Sequence, residues 1–313
     1  MATMKAVRMH THGGPETLVY EDAPLPEPSA DEVLIRVYAA SVNPVDWKIR
    51  DGYGKDRFKH HLPLILGWDV AGTVEAVGSE VERLKPGDAV YGYTSLSRDG
   101  AYAEYMVAKE AEIAIKPTSL DFVEAAAVPV AALTAWQAMF DTAGLNANQR
   151  VLIHAAAGGV GSIAVQLAKA KGAYVIGTAS ARNADFLTEL GVDEMIDYQA
   201  TPFETVVNDV DVVFDTIGGD TQARSFSVLR KDGFLVSIVA PPSEETAAQY
   251  GVRSAMLAVQ PNAAQLSEIS ELIDSGKVKP YVETVLPLSE ARQAHEMSQS
   301  GRTRGKIVLR VVD

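Results

Sequence analysis

The sequence predicts an α/β protein in which a doubly wound parallel sheet is combined with a second, mostly β domain. Three observations carry this. A glycine-rich bend sits between an apolar strand and an amphipathic helix at 150–168, helical and strand-like runs alternate from residue 121 onward, and the first ~120 residues are rich in short β-type runs broken by Gly and Pro.

In the first part, Met4 to Met9, Glu32 to Ala40, Asp69 to Val77, Ala89 to Tyr93 and Ala101 to Ala108 read as strands, because β-branched and aromatic residues cluster there. Lys85-Pro86-Gly87-Asp88 is a turn feeding one of them. Their spacing predicts a compact, mostly antiparallel, barrel-like domain. Helices follow over Phe122 to Ala132 and Ala135 to Ala143. Strands at Val151 to His154, Tyr174 to Thr178, Glu194 to Asp197, Val210 to Asp215 and Phe234 to Val239 then alternate with helical runs, which predicts a doubly wound parallel sheet. The tail from Lys279 returns to short strands, ends in Gly305 to Val311, and is expected to rejoin the first domain. The expected division is residues 1–121 with 280–313 for the β domain and 122–279 for the sheet domain.

With 313 residues and 47% hydrophobic content the chain can bury a large core. A formal charge of -13 repels phosphate backbones and anionic lipid, so nucleic acid and membrane surfaces are not expected as partners. The longest apolar run, Ala125 to Trp136, is interrupted by Pro129 and Thr134 and falls short of the ~18 residues that span a bilayer. No secretory signal is visible in the first residues, and a cytoplasmic location is the expectation. Cysteine is absent, which removes disulfides, thiolate nucleophiles and cysteine-containing zinc sites. The six histidines, His10, His12, His60, His61, His154 and His295, form no ligand pair at helical i, i+4 spacing, so no metal site is expected.

The bend reads Ile153-His154-Ala155-Ala156-Ala157-Gly158-Gly159-Val160-Gly161, where a dinucleotide's pyrophosphate would sit. Gly158 lets the backbone approach a phosphate, Gly161 lets the helix pack on the strand, and the helix N-terminus offers unpaired N–H groups to an anion. Ala156 occupies the place of the usual first glycine. A plain tight turn is the alternative, but the strand, bend, helix and next strand in sequence favour a dinucleotide site, and hence redox chemistry.

Together with Gly67-Trp68-Asp69-Val70-Ala71-Gly72-Thr73-Val74, Lys85-Pro86-Gly87-Asp88-Ala89-Val90 and Leu133-Thr134-Ala135-Trp136, this bend resembles the medium-chain dehydrogenase/reductase superfamily. Within it the chain is similar to the zinc-independent quinone oxidoreductase (zeta-crystallin-like) and enone or alkenal reductase branch. The resemblance implies a GroES-like barrel domain split around a Rossmann-type domain, NADPH as reductant, and a homodimer. Asn43 stands where the zinc alcohol dehydrogenases have a ligand Cys, Trp68 where they have a ligand His, and only the loop Ser95 to Asp99 stands where they carry a four-cysteine lobe.

An NAD enzyme of this fold carries an acidic residue at the end of the second strand. Here Gly177-Thr178-Ala179-Ser180-Ala181-Arg182-Asn183 has no carboxylate before Asp185. A 2′-phosphate fits better, with Ser180 capping the helix after it and Arg182 supplying a guanidinium, so NADP(H) is the expected cofactor. A simple N-cap and a solvated charge are the alternative. By resemblance Tyr198 lies near the adenosine phosphate, Ile217 with Gly218 and Val239 with Ala240 flank the nicotinamide ribose, Thr134 lies near the carboxamide, and Arg304, Gly305 and Lys306 close over the cofactor.

Hydride transfer needs a group that stabilises negative charge developing on the substrate oxygen. The segment Ser41 to Tyr53 offers several. By resemblance Lys48 touches the nicotinamide ribose and the substrate carbonyl. Asn43 is a candidate hydrogen-bond donor, and Tyr53 lines the pocket or relays a proton. Surface charge for Lys48, a turn role for Asn43 before Pro44 and a loop aromatic for Tyr53 are the structural alternatives, and Asp46 with Arg50 reads as a local ion pair. The expected function is NADPH-dependent hydride transfer to a quinone or to the β-carbon of an α,β-unsaturated carbonyl. The alternatives are a non-catalytic NADPH-binding protein and an alcohol dehydrogenase with an unusual metal site.

Overall fold

The computed structural model describes residues 2–58 and 60–312. They fall into two compact units: residues up to 130 with 261–274 and those from 280 onward, and residues 131–260 with 275–279.

In the first unit the strand Glu32–Val42 is the spine. It is buried along nearly its whole length, exposed only at Arg36, so the apolar residues of its sequence, EVLIRVYAASV, do not alternate regularly with polar ones. It pairs antiparallel with Asp69–Val77, Tyr105–Lys109 and Lys306–Arg310. The 7-stranded sheet so formed runs in the order Val282–Pro287, Lys306–Arg310, Glu32–Val42, Asp69–Val77, Ala89–Tyr93, Ile113–Ile115, with Tyr105–Lys109 on the spine. Leu18–Pro24, Thr3–Met9 and Leu64–Ile65 make a second, 3-stranded sheet.

The second unit is a 6-stranded parallel sheet in the order Glu194–Asp197, Tyr174–Ala179, Arg150–Ile153, Val210–Asp215, Leu229–Ser237, Arg253–Met256. Numbered along the chain this is 3-2-1-4-5-6, whose reversal beside Arg150–Ile153 is where this kind of sheet binds ligands beyond its carboxyl ends. No helix among the described residues is long and apolar enough to cross a membrane.

Several expected boundaries move, each for a local reason. The single helix expected over Phe122 to Ala132 is two, Phe122–Ala126 and Pro129–Trp136, because Pro129 has no N–H to donate and disfavours helix in the residue before it. Gln137–Thr142 continues as a π-helical turn. The stretch from Ala101 to Glu104 is not part of a strand: Ala101 and Tyr102 donate to the carbonyls of Gly67 and Leu66, and the ladder starts at Tyr105. Arg253–Met256 is a sixth strand that its short sequence RSAM does not announce.

By packing, 122–130 and 261–274 go with the first unit. Side chains of the first unit hold them there. The Val130 N–H donates to Asp69 Oδ1 at 2.7 Å, and the buried Tyr91 hydroxyl donates to the Leu266 carbonyl at 2.7 Å and meets Ser270 Oγ at 2.8 Å, both on the helix Ala263–Asp274. Tyr91→Phe leaves that carbonyl without its side-chain donor. The expected result is a loss of about 1–2 kcal/mol in denaturant unfolding with an unchanged slope; an unchanged midpoint contradicts this anchoring role.

Candidate active site

The glycine-rich bend has the backbone that an approaching dinucleotide needs. Gly158 caps the helix Gly159–Ala170, whose first N–H to find a helical carbonyl is that of Ser162, on Gly158, at 2.9 Å. The N–H groups of Gly159, Val160 and Gly161 form the open end of the helix. A Cβ on Gly161 would lie 2.3 Å from the Ala155 carbonyl oxygen and 2.8 Å from Ala156 Cα, so only glycine lets the helix start this close to the bend. Ala155 adopts φ 48°, a left-handed conformation that disfavours a side chain, and neighbouring bonds hold it there. Thr178 supplies two of them: its carbonyl accepts the Ala156 N–H at 2.9 Å and its hydroxyl accepts the Ala155 N–H at 3.3 Å. Thr178 is thus a buried brace beneath the bend.

His154 completes the brace. Its Nδ1 lies 3.1 Å from Thr178 Oγ1 and its Nε2 2.9 Å from Ser225 Oγ. Burial pushes this imidazole down to about 4, so it is neutral at physiological pH.

At the end of the second strand Ser180 does not cap the following helix. It precedes a 3₁₀ turn, Ala181–Asn183, and makes no capping bond; its hydroxyl instead accepts from Asn183 Nδ2 at 3.2 Å, and the α-helix begins at Ala184. Arg182 is exposed beside it and Asn183 is buried. The Asp197 carboxylate, one strand over and in register with Ala179, accepts the Gln199 N–H at 3.1 Å. Tyr198 is 59% exposed.

The next strand ends are organised by a residue that the sequence does not single out. Asp215 is fully buried; one oxygen accepts the N–H groups of Ile217 and Gly218 at 3.0 and 2.8 Å, and the other accepts from Gln222 Nε2 at 2.9 Å and Ser237 Oγ at 2.8 Å. Gln222 also reaches the Ala240 carbonyl, at 3.0 Å. These bonds leave Ile217 and Val239 as exposed apolar side chains at the carboxyl end of the sheet, while Thr134 is buried in Pro129–Trp136.

The first unit holds a second polar cluster. The buried Asp69 carboxylate accepts from Ser41 Oγ at 2.6 Å and Asn43 Nδ2 at 2.8 Å, and Lys306 Nζ lies 3.5 Å away. Lys306, only 5% exposed, also donates to the Asn43 amide oxygen and, at 3.3 Å, to the Val42 carbonyl. Gly305 beside it has φ 64° and packs on Tyr281, where a Cβ would meet the carbonyl oxygen at 2.3 Å; the Arg304 N–H donates to Glu283. The structure therefore joins Asn43 and Lys306 both directly and through Asp69. Lys48 and Tyr53 stand apart from this cluster: Lys48 lies over the Trp47 ring, 5.6 Å from its centroid, and Tyr53 is 55% exposed on the turn after the helix Pro44–Arg50.

Asp46 and Arg50 do not pair. Asp46 Oδ2 accepts the Asn43 N–H at 2.8 Å and the Tyr102 hydroxyl at 3.0 Å, whereas Arg50 turns to Asp51 at 2.5 Å, Gln299 at 3.2 Å and His295 Nδ1 at 3.2 Å. The helix start claims the carboxylate, and the helix Ala291–Gln299 claims the guanidinium. Burial pushes the Asp46 carboxyl up to about 7, and its Oδ1 meets no donor among the described residues.

A carboxyl raised in this way stabilises the fold only while protonated, so its contribution fades as pH rises from its unfolded value near ~4 to about 7. His295, pushed down to about 3 chiefly by burial, and His154 act in the opposite sense, losing stability as pH falls below their ordinary value. Asp46→Asn keeps an acceptor oxygen for both donors and removes the titration. Its melting temperature relative to wild type is therefore expected to rise between about pH 4 and about pH 7; a difference that does not change with pH contradicts a protonated Asp46.

Comparison with known proteins agrees with this geometry. Residues 29–118 match the alcohol dehydrogenase GroES-like domain and residues 190–309 match a zinc-binding dehydrogenase family. The 2-methylene-furan-3-one reductase of Solanum lycopersicum is 36% identical, covering 98% of this chain and 79% of its own. The quinone oxidoreductase from Coxiella burnetii superposes with a TM-score of 0.93 at 38% identity, covering 99% of this chain and 100% of its own. The Escherichia coli quinone oxidoreductase complexed with NADPH gives 0.88 at 31%, covering 98% and 100%.

The zinc in the second family's description does not fit the residues present. The Asn43 oxygen already takes the Lys306 ammonium, and the buried Trp68 indole donates to the Arg98 carbonyl. Among the described residues no three of His, Cys, Asp and Glu gather as a ligand set. On the extent of these matches the chain belongs to the medium-chain dehydrogenase/reductase superfamily, in its quinone oxidoreductase branch.

Proposed function

We propose that the protein is a metal-free, NADPH-dependent oxidoreductase that delivers hydride to a quinone or to the β-carbon of an α,β-unsaturated carbonyl compound. The observation that carries this reading is the bend at 155–161, where Gly161 admits the helix start at a distance that no side chain permits. The names of the relatives support it: one is a quinone oxidoreductase complexed with NADPH, another a reductase of a 2-methylene-furan-3-one, itself an enone.

NADPH, when bound, supplies the hydride. The backbone N–H groups of Gly159, Val160 and Gly161 hold its pyrophosphate, with Gly158 and Ala156 small enough to let it approach. Ser180, Arg182 and Asn183 receive the 2′-phosphate, and Tyr198 lies beside the adenosine. Ile217, Val239, Ala240 and Thr134 line the nicotinamide end. On the substrate side, the Lys48 ammonium and the Asn43 amide oppose negative charge as it develops on the carbonyl or quinone oxygen, and solvent or Tyr53 supplies the proton. A small-molecule substrate, a homodimer and a cytoplasmic location belong to the same proposal.

A turnover screen of quinones, enones and alkenals, run with NADPH against NADH, tests the function. Oxidation of NADPH by one of these classes, faster than oxidation of NADH and insensitive to a chelator, is the expected result. Lys48→Ala is expected to lower kcat/KM about 10- to 100-fold. No oxidation of NADPH across the panel, or activity abolished by the chelator, overturns the reading.

A further inference from the structure

Asn43 is held more completely than its place at the start of a helix requires. Its backbone N–H donates to Asp46 at 2.8 Å, its Nδ2 donates to Asp69 at 2.8 Å, and its Oδ1 accepts from Lys306. The three holders come from three elements, Pro44–Arg50, Asp69–Val77 and Lys306–Arg310. An ammonium can only donate and a carboxylate can only accept, so the two charged partners leave one orientation for the amide. The amide nitrogen has a second N–H, to which no described residue presents an acceptor.

Lys306 is fully engaged in this arrangement. Its three N–H groups match three acceptors, the Asn43 amide oxygen, the Val42 carbonyl and Asp69, and the side chain is 5% exposed. Asp69 is equally committed, with Ser41 and the Val130 N–H as further donors. Burying an ammonium costs free energy unless its partners are in place, so its position is tied to theirs.

We infer that Lys306 and Asp69 are positioning residues that clamp the Asn43 carboxamide and aim its second N–H at the oxygen of the substrate being reduced. Asn43 is then the contact and Lys306 acts through it rather than on the cofactor. The inference rests on the proposed function and assigns one donor of that site. In surroundings as dry as those of Asn43, 3% exposed, a single hydrogen bond to developing charge is strengthened.

The test compares Lys306→Met, Asn43→Ala and the double variant with wild type in steady-state turnover of a quinone or enone. Each single change is expected to lower kcat about 10- to 100-fold while KM for NADPH stays within about 2-fold, and the double variant is expected to be no slower than the slower single one. A raised KM for NADPH with kcat retained, full activity in Lys306→Met, or losses that multiply in the double variant overturn the clamp. Lys306→Gln, which keeps a donor, replaces Lys306→Met if the latter does not fold, and is expected to recover part of kcat.

A readout on the wild-type protein needs no variant to be active. The assigned side-chain amide resonance of Asn43 is expected to shift when a non-reducible carbonyl ligand is added with NADP⁺; an unmoved resonance at saturation overturns the inference. Wild-type protein that turns over nothing with NADPH refutes the function itself, whereas active wild type with indifferent variants refutes only the clamp.

Discussion

The buried carboxylate of Asp69 is the constraint on which the first unit depends. A charge with no exposure is tolerated only if donors surround it, and here they come from the spine strand through Ser41, from the start of a helix through Asn43, from the Val130 N–H and from Lys306 in the last strand. One side chain thereby ties together three stretches that lie far apart in the chain, residues 41–43, Val130 and Lys306. The returning tail is held by the ladder pairing Ile307 with Val42 and Leu309 with Ala40, and also by the Lys306 ammonium, whose ion-pair partner is Asp69. The candidate catalytic segment, Ser41 to Tyr53, is thus held at its start by the same buried carboxylate, through Ser41 and Asn43.

The second unit is organised by close approach. The left-handed Ala155, the missing side chain of Gly161 and the Thr178 bonds to the backbone of the bend describe a turn so tight that its first helical N–H groups face outward. Asp215 does comparable work at the next strand end, using both oxygens to hold the loop after its own strand and the end of the neighbouring one. Both devices place small or apolar residues at the carboxyl ends of the strands, where an open parallel sheet receives ligands.

Much of this was legible in the sequence because local signals coincide with the global fold. Glu194–Asp197, Val210–Asp215, Asp69–Val77 and Ala89–Tyr93 appear at the residues expected from their composition. Polar or very short strands were not legible. Arg253–Met256 and Leu64–Ile65 exist because neighbours pair with them, and Leu229–Ser237 begins in a stretch, Leu-Arg-Lys-Asp, whose exposed charges do not announce a strand. The site divides in the same way. The glycines of the bend announce themselves, since a missing side chain is written in the sequence. The pairings of Asn43, Asp46, Arg50 and Lys306 do not, because they join residues up to 264 positions apart and the nearest charge along a helix is a poor guide to the partner chosen. Asp46 and Arg50 have the spacing of an ion pair, yet each has a better-placed partner across the core. Ser180 has the chemistry of a cap, yet the chain there forms a 3₁₀ turn in which Asn183 takes its hydroxyl.

On the proposed reading, a phosphorylated nicotinamide nucleotide binds on the second unit and protein donors, Asn43 held by the buried Lys306 among them, serve where zinc alcohol dehydrogenases use a metal. A crystal structure of the protein grown with NADPH, with anomalous data collected above the zinc absorption edge, tests it most directly. The expected result is nucleotide density with its pyrophosphate at Gly158 to Gly161 and its 2′-phosphate at Ser180 and Arg182, Lys306 bonded to Asn43 and Asp69, and no anomalous peak beside Asn43. A metal peak at Asn43, or density that leaves the bend at 158–161 without nucleotide at saturating NADPH, would contradict it.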